Sequence, residues 1–510
     1  MKPLTTSRSS IQSAGLAAGI ILALLIGVFF NPVPDQPAIG AVAAVVALMA
    51  CWWMTEAIPL AATALVPMVL FPLLGVASAR ETAGAYMNSI IFLYVGGSLI
   101  ALAMERCGLH RRVALTIIHA IGGNADRIVL GFMLAGGLVS MWISNTAAAV
   151  MMLPIAMAII SQMEARFGRE RTAPLAIAVL LAVAYGSSIG GMATPVGSPT
   201  NLVFLKIYAD AFPAAPVISF GQWVALAMPL SVALLVAAWL ALVYLNGRLD
   251  RSLVIDRATV RRDLDALGRL GREERIVLTV WILTALLWIF RADLNIGTFV
   301  IPGWAGLWKG FALLDDGTVA VAMSLLLFLL PAGPERGSKT ILGSEAFAEL
   351  PWAAILLFGG GFAMANGFTS SGLTQYLAAQ FSELGSMSVL SAMLVACVTI
   401  ALMTELVSNI AVVQMFVPVL AAWGVAQQIN PLLLMFPATI MSSMAFMFPV
   451  GTPPNAVIFG SNRIRIRDMM RGGLWVKVVV VLITLVVCLL LMPVIFGLDT
   501  SKFPDWAAPR

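Results

Sequence analysis

Apolar runs suited to crossing a lipid bilayer recur along this whole chain, from "LAAGIILALLIGVFF" at Leu16 to "VKVVVVLITLVVCLLLMPVIFG" at Val476. About 20 residues rising 1.5 Å each span a hydrocarbon core, and only helices or closed barrels do so with every backbone group paired. Charged residues make up 11% of the 510 positions, against about 25% in soluble domains. The sequence therefore predicts an all-α polytopic protein of the cell (inner) membrane, surrounded by lipid. Its formal charge of +5 is not a nucleic-acid signal. The basic residues sit in short loops, where they set orientation across the membrane. The first apolar stretch follows Lys2 and Arg8 like a secretion signal. It is long and lacks a small-x-small cleavage site, so it reads as a retained first helix. Cys51, Cys107, Cys397 and Cys488 stand apart, with no metal-binding spacing.

Loop charge traces the path. Lys/Arg-rich connections fall near 105–127, 161–173, 246–275, 332–350 and 461–472. Connections poor in these residues fall near 31–38, 206–219, 293–316, 373–386 and 424–431. Placing the basic set in the cytoplasm gives a consistent alternation except at 128–160 and 387–423. The first stretch begins and ends beside basic loops, the second beside uncharged ones, so each returns to the side it left. Such a segment is a re-entrant hairpin, whose turn at membrane depth is tolerated only against protein or a water-filled cavity. About eleven transmembrane helices remain, with the N-terminus inside and the C-terminus outside.

Each hairpin carries the same polar pair, in "ISNTAAAVMMLPIA" from Ile143 and in "VSNIAVVQMFVPVL" from Val407. A hydroxyl or amide in hydrocarbon costs roughly 1–3 kcal/mol unless it is paired, so a repeated insertion needs a reason. The repeat is wide. Ser140 matches Thr404, Ser144 matches Ser408, Asn145 matches Asn409 and Pro154 matches Pro418, all at one offset. "IFLYVGGSLIALAMERCGL" (Ile91–Leu109) aligns with "ILLFGGGFAMANGFTSSGL" (Ile355–Leu373) at that same offset. Downstream, "PVGSPTNLVF" from Pro195 matches "PVGTPPNAVIF" from Pro449. Three landmarks in one order indicate duplication, and hairpins entering from opposite sides make the halves inverted. Inverted repeats with binding at the midplane are a common plan of secondary transporters. The expected division is a first helix outside the repeat (1–37), a first repeat (38–247), a cytoplasmic linker (248–275), a second repeat (276–498) and an external tail (499–510).

Proline and glycine in the two Pro-Val-Gly-Ser/Thr-Pro segments break the helix and free carbonyls and amides near the bilayer centre. Freed carbonyls, with hydroxyls such as Ser198 and Thr452, can coordinate a hard cation. Exposed helix N-termini favour an anion.

With "MWISNT", "GSPTN", "GTPPNAVIFG", "WWMTEAIPL" from Trp52 and "TELVSN" from Thr404, the chain resembles the divalent anion/sodium symporter family. The resemblance covers nearly everything beyond the first helix. It implies carriage of dicarboxylates, tricarboxylates or sulfate by a homodimer. Each protomer would have a scaffold part and a transport part, the latter holding the hairpins and broken helices and moving as an elevator. The family also includes exchangers that do not use sodium.

Carried over by motif, Asn145, Thr146 and Asn409 meet the anion, helped by Ser144 and Ser408, with Thr452 and Pro453 lining the same site and Ser198 beside it. One sodium site would use Ser140, Ser144, Asn145 and carbonyls near Gly197; its mirror would use Thr404, Asn409 and carbonyls near Gly451. Hydroxyl, amide and backbone oxygens are hard ligands suited to Na+. Two departures stand out. The second tip reads Ser408-Asn409-Ile410, where the family often has threonine third, and Thr200 stands where the second repeat has Pro454. With Ile410 at the site, a C4 dicarboxylate (succinate, fumarate or malate) is expected over sulfate, because its apolar middle can rest on an apolar wall.

Three acids lie in apolar surroundings. Glu405, whose mirror is Met141, is read as a structural hydrogen-bonding group or a proton relay; Glu56 as packing near the scaffold; Glu105 as interfacial. An enzyme is not expected: His110 and His119 lie by one loop and no nucleophile or metal constellation accompanies them. The expectation is a sodium-coupled dicarboxylate symporter in which sodium assembles the tips and creates the anion site. The alternatives are a sodium-independent exchanger and a cation/proton antiporter of similar architecture.

Overall fold

The computed structural model describes residues 8–245, 249–250, 252–254, 257–296, 299–333, 339–383, 385–500 and 502–508. The expected boundaries at 1, 247, 248 and 510 lie outside the described residues. Among the described residues, apart from a two-stranded ribbon, Leu294–Ile296 against Phe299–Ile301, the regular structure is helical. Among the described residues, nine helices are long and apolar enough to cross a membrane. Two of the nine, Asn145–Phe167 and Asn409–Ala426, follow the Ser-Asn motifs as second limbs of helical hairpins.

Excluding the hairpins, the crossings run in order. Ser10–Phe29, Pro37–Thr55, Leu60–Leu73 and Ser89–Arg106 precede the first hairpin. A broken helix, Arg169–Gly191 and Pro199–Ala211, then leads to Phe220–Leu240. After the linker come Arg272–Ile289, Asp316–Leu329 and Trp352–Ser371. A second broken helix, Leu432–Ser442 and Pro453–Phe459, leads into the last helix, Ile466–Phe496. The helices and hairpins follow one another in the order expected from the sequence.

Burial separates outward-facing helices from enclosed ones. Ser10–Phe29 is apolar all round and only 11% buried, with Leu24, Val28 and Phe29 pointing outward, as a helix against lipid should be. By contrast Arg169–Gly191, of similar apolarity, is 83% buried. It packs against Ala125–Ser140 through small residues: a Cβ added at Gly186 would lie 2.5 Å from the Met133 carbonyl oxygen. Small residues let helices approach closely where no water drives them together. On the expected cytoplasmic face, Arg112 of Leu109–Ile121 holds the linker. It pairs with Glu274 at 2.8 Å and donates to the carbonyls of Leu267 and Gly268.

The repeat is visible in hydrogen bonds. Asn201 Nδ2 donates to the carbonyls of Gly191 (3.3 Å) and Thr194 (2.8 Å). Its counterpart Asn455 Nδ2 donates to those of Ala445 and Phe448, each at 3.0 Å. In both halves one asparagine staples the unwound stretch into the same shape, satisfying carbonyls that the break leaves unpaired. The two breaks also touch. Tyr185 Oη donates to the Phe446 carbonyl at 2.9 Å, and the Ser443 hydroxyl lies 2.9 Å from that of Thr200 and 3.3 Å from that of Ser198.

Candidate functional site

At the first hairpin tip, Ala125–Ser140 closes with Met141 N bonded to Gly137 O and Ile143 N to Val139 O. Ser144 then turns extended, with φ −61° and ψ 145°, and its hydroxyl accepts from Ala147 N at 3.2 Å. This N-cap starts the helix at Asn145 and sets Asn145 and Thr146 in its first turn. The second tip follows the same path: Ser408, with φ −51° and ψ 131°, precedes the helix from Asn409, although its side chain makes no cap. Asn409 and Ile410 therefore occupy the positions that Asn145 and Thr146 hold in the first tip.

Behind the first tip, oxygen atoms converge. The amide end of Asn145 lies 2.6 Å from Ser140 Oγ and 3.2 Å from the carbonyl oxygens of Ser187 and Gly197. An amide nitrogen there has two hydrogens to share among these three oxygens. An amide oxygen there makes four oxygens face one another, which is the donor set of a hard alkali cation. More carbonyls crowd the spot: a Cβ at Gly197 would lie 2.5 Å from Gly191 O, 2.8 Å from Met141 O and 2.9 Å from Ser140 O. Any larger residue would displace this backbone, so glycine is required by close approach.

The second cluster repeats the plan with different details. Thr404 Oγ1 donates to Asn409 Oδ1 at 2.6 Å and also contacts the Ser442 carbonyl. Both Ser140 and Thr404 are fully buried. Gly451 packs against Glu405, and the Thr452 hydroxyl, itself buried, has no hydrogen-bond partner among the described residues. A buried hydroxyl left unpaired is open to a ligand.

The structure thus joins Ser140, Asn145 and Gly197 into one cluster, and Thr404 and Asn409 into another. Ser144 and Gly197 also line a cavity of about 210 Å³, with Tyr94, Ser98, Glu105 and Glu349 on its other walls. Ser408, Asn409, Ile410, Thr452 and Pro453 do not line that cavity. Ser198 is buried and engaged with Thr200 and Ser443. Glu56 is exposed at the end of Pro37–Thr55, in the left-handed region at φ 47°.

Sequence reasoning missed one partnership. Glu405 accepts from the N–H groups of Phe446, Met447 and Phe448 at 2.8–3.2 Å, and it pairs with the buried ammonium of Lys477. The signal was present: a lone lysine inside "WVKVVVVLITL", where an intramembrane charge demands a partner.

The chain matches the family described as sodium:sulfate symporter transmembrane region over residues 13–498. It is 39% identical, over 507 residues, to the sodium-dependent dicarboxylate transporter SdcS of Staphylococcus aureus strain MRSA252, covering 98% of this chain and 94% of that protein. The SdcS of strain COL is likewise 39% identical over 497 residues, covering 96% and 93%. Two solved structures share the fold at low identity. Neisseria gonorrhoeae MtrF has TM-score 0.58 and 12% identity, covering 96% of this chain and 100% of that one. The YdaH transporter of Alcanivorax borkumensis has TM-score 0.54 and 15% identity, covering 98% of each. The two hairpins, the two broken helices and a match over almost the full length agree, and the chain is a multi-pass membrane protein belonging to the sodium:sulfate symporter family, the divalent anion/sodium symporters.

Proposed function

We propose that the chain is a secondary active transporter that carries a small dicarboxylate (succinate, fumarate or malate) together with sodium ions. The observation that carries this reading is the pair of oxygen clusters behind the hairpin tips, Ser140–Asn145 with Gly197 and Thr404–Asn409. Each offers uncharged oxygens suited to Na+ rather than to a transition metal. The likeness to the sodium-dependent dicarboxylate transporter SdcS supports the same substrate pair.

The chemistry follows from order of assembly. Asn145 and Asn409 each share one amide between a cation cluster and the first turn of a helix. A cation bound behind the tip orients that amide and the neighbouring N–H groups, which then face a carboxylate together with the helix N-terminus. Ser144, Thr146, Ser408, Thr452 and Pro453 complete the anion's surroundings. Anion affinity is thereby conditional on sodium, which is the requirement for symport. Movement of the hairpins and broken helices as one body against the remaining helices, in a homodimer, would carry the loaded site across the membrane.

Uptake of radiolabelled succinate into proteoliposomes tests this, with sodium replaced by potassium or choline. The expected result is uptake in sodium alone. Uptake that ignores sodium and follows only an internal counter-anion would assign the chain to exchange, and proton flux without dicarboxylate would assign it to antiport.

A further inference from the structure

The two halves fasten the hairpin tip to the unwound segment by different chemistry. In the first half the fastener is neutral: Thr194 Oγ1 donates to the Met141 carbonyl at 2.5 Å and accepts from Gly197 N at 3.0 Å. The counterpart of Thr194 is Phe448, which has no hydroxyl, and the counterpart of Met141 is Glu405. There the hairpin supplies the fastener instead. The Glu405 carboxylate, next to Thr404 in the chain, gathers three consecutive N–H groups at 446–448. Its negative charge is answered by Lys477, whose ammonium also reaches the Ala401 carbonyl. Lysine and carboxylate are both nearly fully buried, at 5% and 3% exposure.

Lys477 arrives by design of the last helix. Gly473, one turn earlier, lets that helix pass against the unwound segment: a Cβ there would lie 2.6 Å from the Phe446 carbonyl carbon and 3.0 Å from Met447 Cα. One turn on, the side chain of residue 477 points at the same feature. The shape of segment 446–448 in turn sets where Gly451 and Thr452 stand relative to Thr404 and Asn409. With N–H groups held by Glu405, and carbonyls held by Tyr185 and Asn455, the segment has little freedom left.

We infer that Lys477 is a positioning residue for the second sodium cluster. It keeps Glu405 in place, and Glu405 presets the unwound segment so that Thr404, Asn409 and the carbonyls near Gly451 meet the cation without rearrangement. The inference rests on the sodium-coupled reading above, and it makes the second cluster dependent on a charge that the first does not use.

The test is sodium dependence of succinate uptake in proteoliposomes, together with the upward shift in unfolding temperature that sodium alone produces in the purified protein. Lys477→Met should raise the sodium concentration for half-maximal uptake about tenfold or more, as for loss of one hydrogen bond to a charged group. The succinate concentration needed at saturating sodium should change little. Because Lys477→Met leaves an unpaired buried carboxylate and can fail to fold, the decisive variant is Glu405→Gln with Lys477→Met. Neutral replacement of a buried pair commonly preserves stability. The double variant should therefore unfold near the wild-type temperature in choline while retaining the sodium defect. If stability and sodium dependence both return to wild type, the pair is structural only and the inference falls. A wild type indifferent to sodium would instead overturn the coupling reading, and this inference with it.

Discussion

Thr404 Oγ1 donates to Asn409 Oδ1 across 2.6 Å, one helical turn and a tight bend apart in the chain. Ser140 Oγ and the amide end of Asn145 lie at the same 2.6 Å in the first half. In each case the hydroxyl ends the first limb of a hairpin and the amide opens the second. The bond therefore spans the tip, and a ligand held there holds the tip shut.

Removing either hydroxyl should show in sodium dependence first. Ser140→Ala and Thr404→Ala should each raise the half-saturating sodium concentration about ten- to a hundredfold, as for loss of a ligand worth about 1.5–3 kcal/mol. Succinate affinity at saturating sodium should shift less, because the anion meets the amide only after the cation has oriented it. Uptake titrated against sodium at several fixed succinate concentrations separates the two effects. A defect confined to succinate affinity would contradict the assignment.

The clusters differ in how tightly the backbone closes on them. A Cβ at Gly191 would overlap the Asn145 amide and lie 2.9 Å from Gly197 O, whereas the repeat counterpart is Ala445, which carries that carbon already. Gly191→Ala should abolish sodium-stimulated uptake or lower the unfolding temperature, overpacking of this kind costing about 1–3 kcal/mol. Ala445→Gly should leave sodium dependence near wild type. Equal tolerance at both positions would mean the first cluster is looser than its geometry implies.

How much of this was legible beforehand follows from what periodicity and charge can carry. Crossings, hairpins and breaks were readable because each leaves a long apolar run, a charge parity or a proline-glycine interruption. The pairing of Ser140 with Asn145 and of Thr404 with Asn409 was readable because duplication prints it twice. What duplication does not print twice was lost. The Thr194–Met141 link and its replacement by Glu405–Lys477 share no residue type between the halves, so comparing the repeats shows only mismatches. Spatial convergence was equally hidden: nothing in spacing places Tyr185 against the Phe446 carbonyl or Ser443 against Thr200.

Orientation of the halves is open to direct labelling. Arg261 in the linker and Ser461, between the second broken helix and the last helix, belong to connections rich in basic residues; Ser386 precedes the second hairpin in a connection without them. All are described positions. Single cysteines at Arg261 and Ser461, in a background lacking the four native cysteines, should react with an impermeant maleimide only from the cytoplasmic side. One at Ser386 should react only from outside. Reaction of positions 261 and 386 from the same side would leave both hairpins entering alike, and the inverted repeat would be refuted.

Selectivity should turn on the position where the repeat is broken. Thr146 brings a hydroxyl to the first turn after its tip, while Ile410 brings only apolar surface to the equivalent turn. Sulfate is compact and tetrahedral and needs donors on every side, so one apolar wall leaves an oxygen unsatisfied. A C4 dicarboxylate sets its charges at two ends and its carbon middle between, and that middle loses nothing against isoleucine. Losing a hydrogen bond to a charged group costs about 1.5–3 kcal/mol, so the two tips contribute unequally. Thr146→Val should therefore weaken succinate about tenfold or more, Ile410→Val should change it little, and Ile410→Thr should improve competition by more polar anions. Inhibition of labelled succinate uptake by unlabelled sulfate, malate and fumarate reads all three. Sulfate competing with wild type at or below the succinate concentration would show that the second tip finds its missing donor elsewhere, and the preference for dicarboxylates could not rest on Ile410.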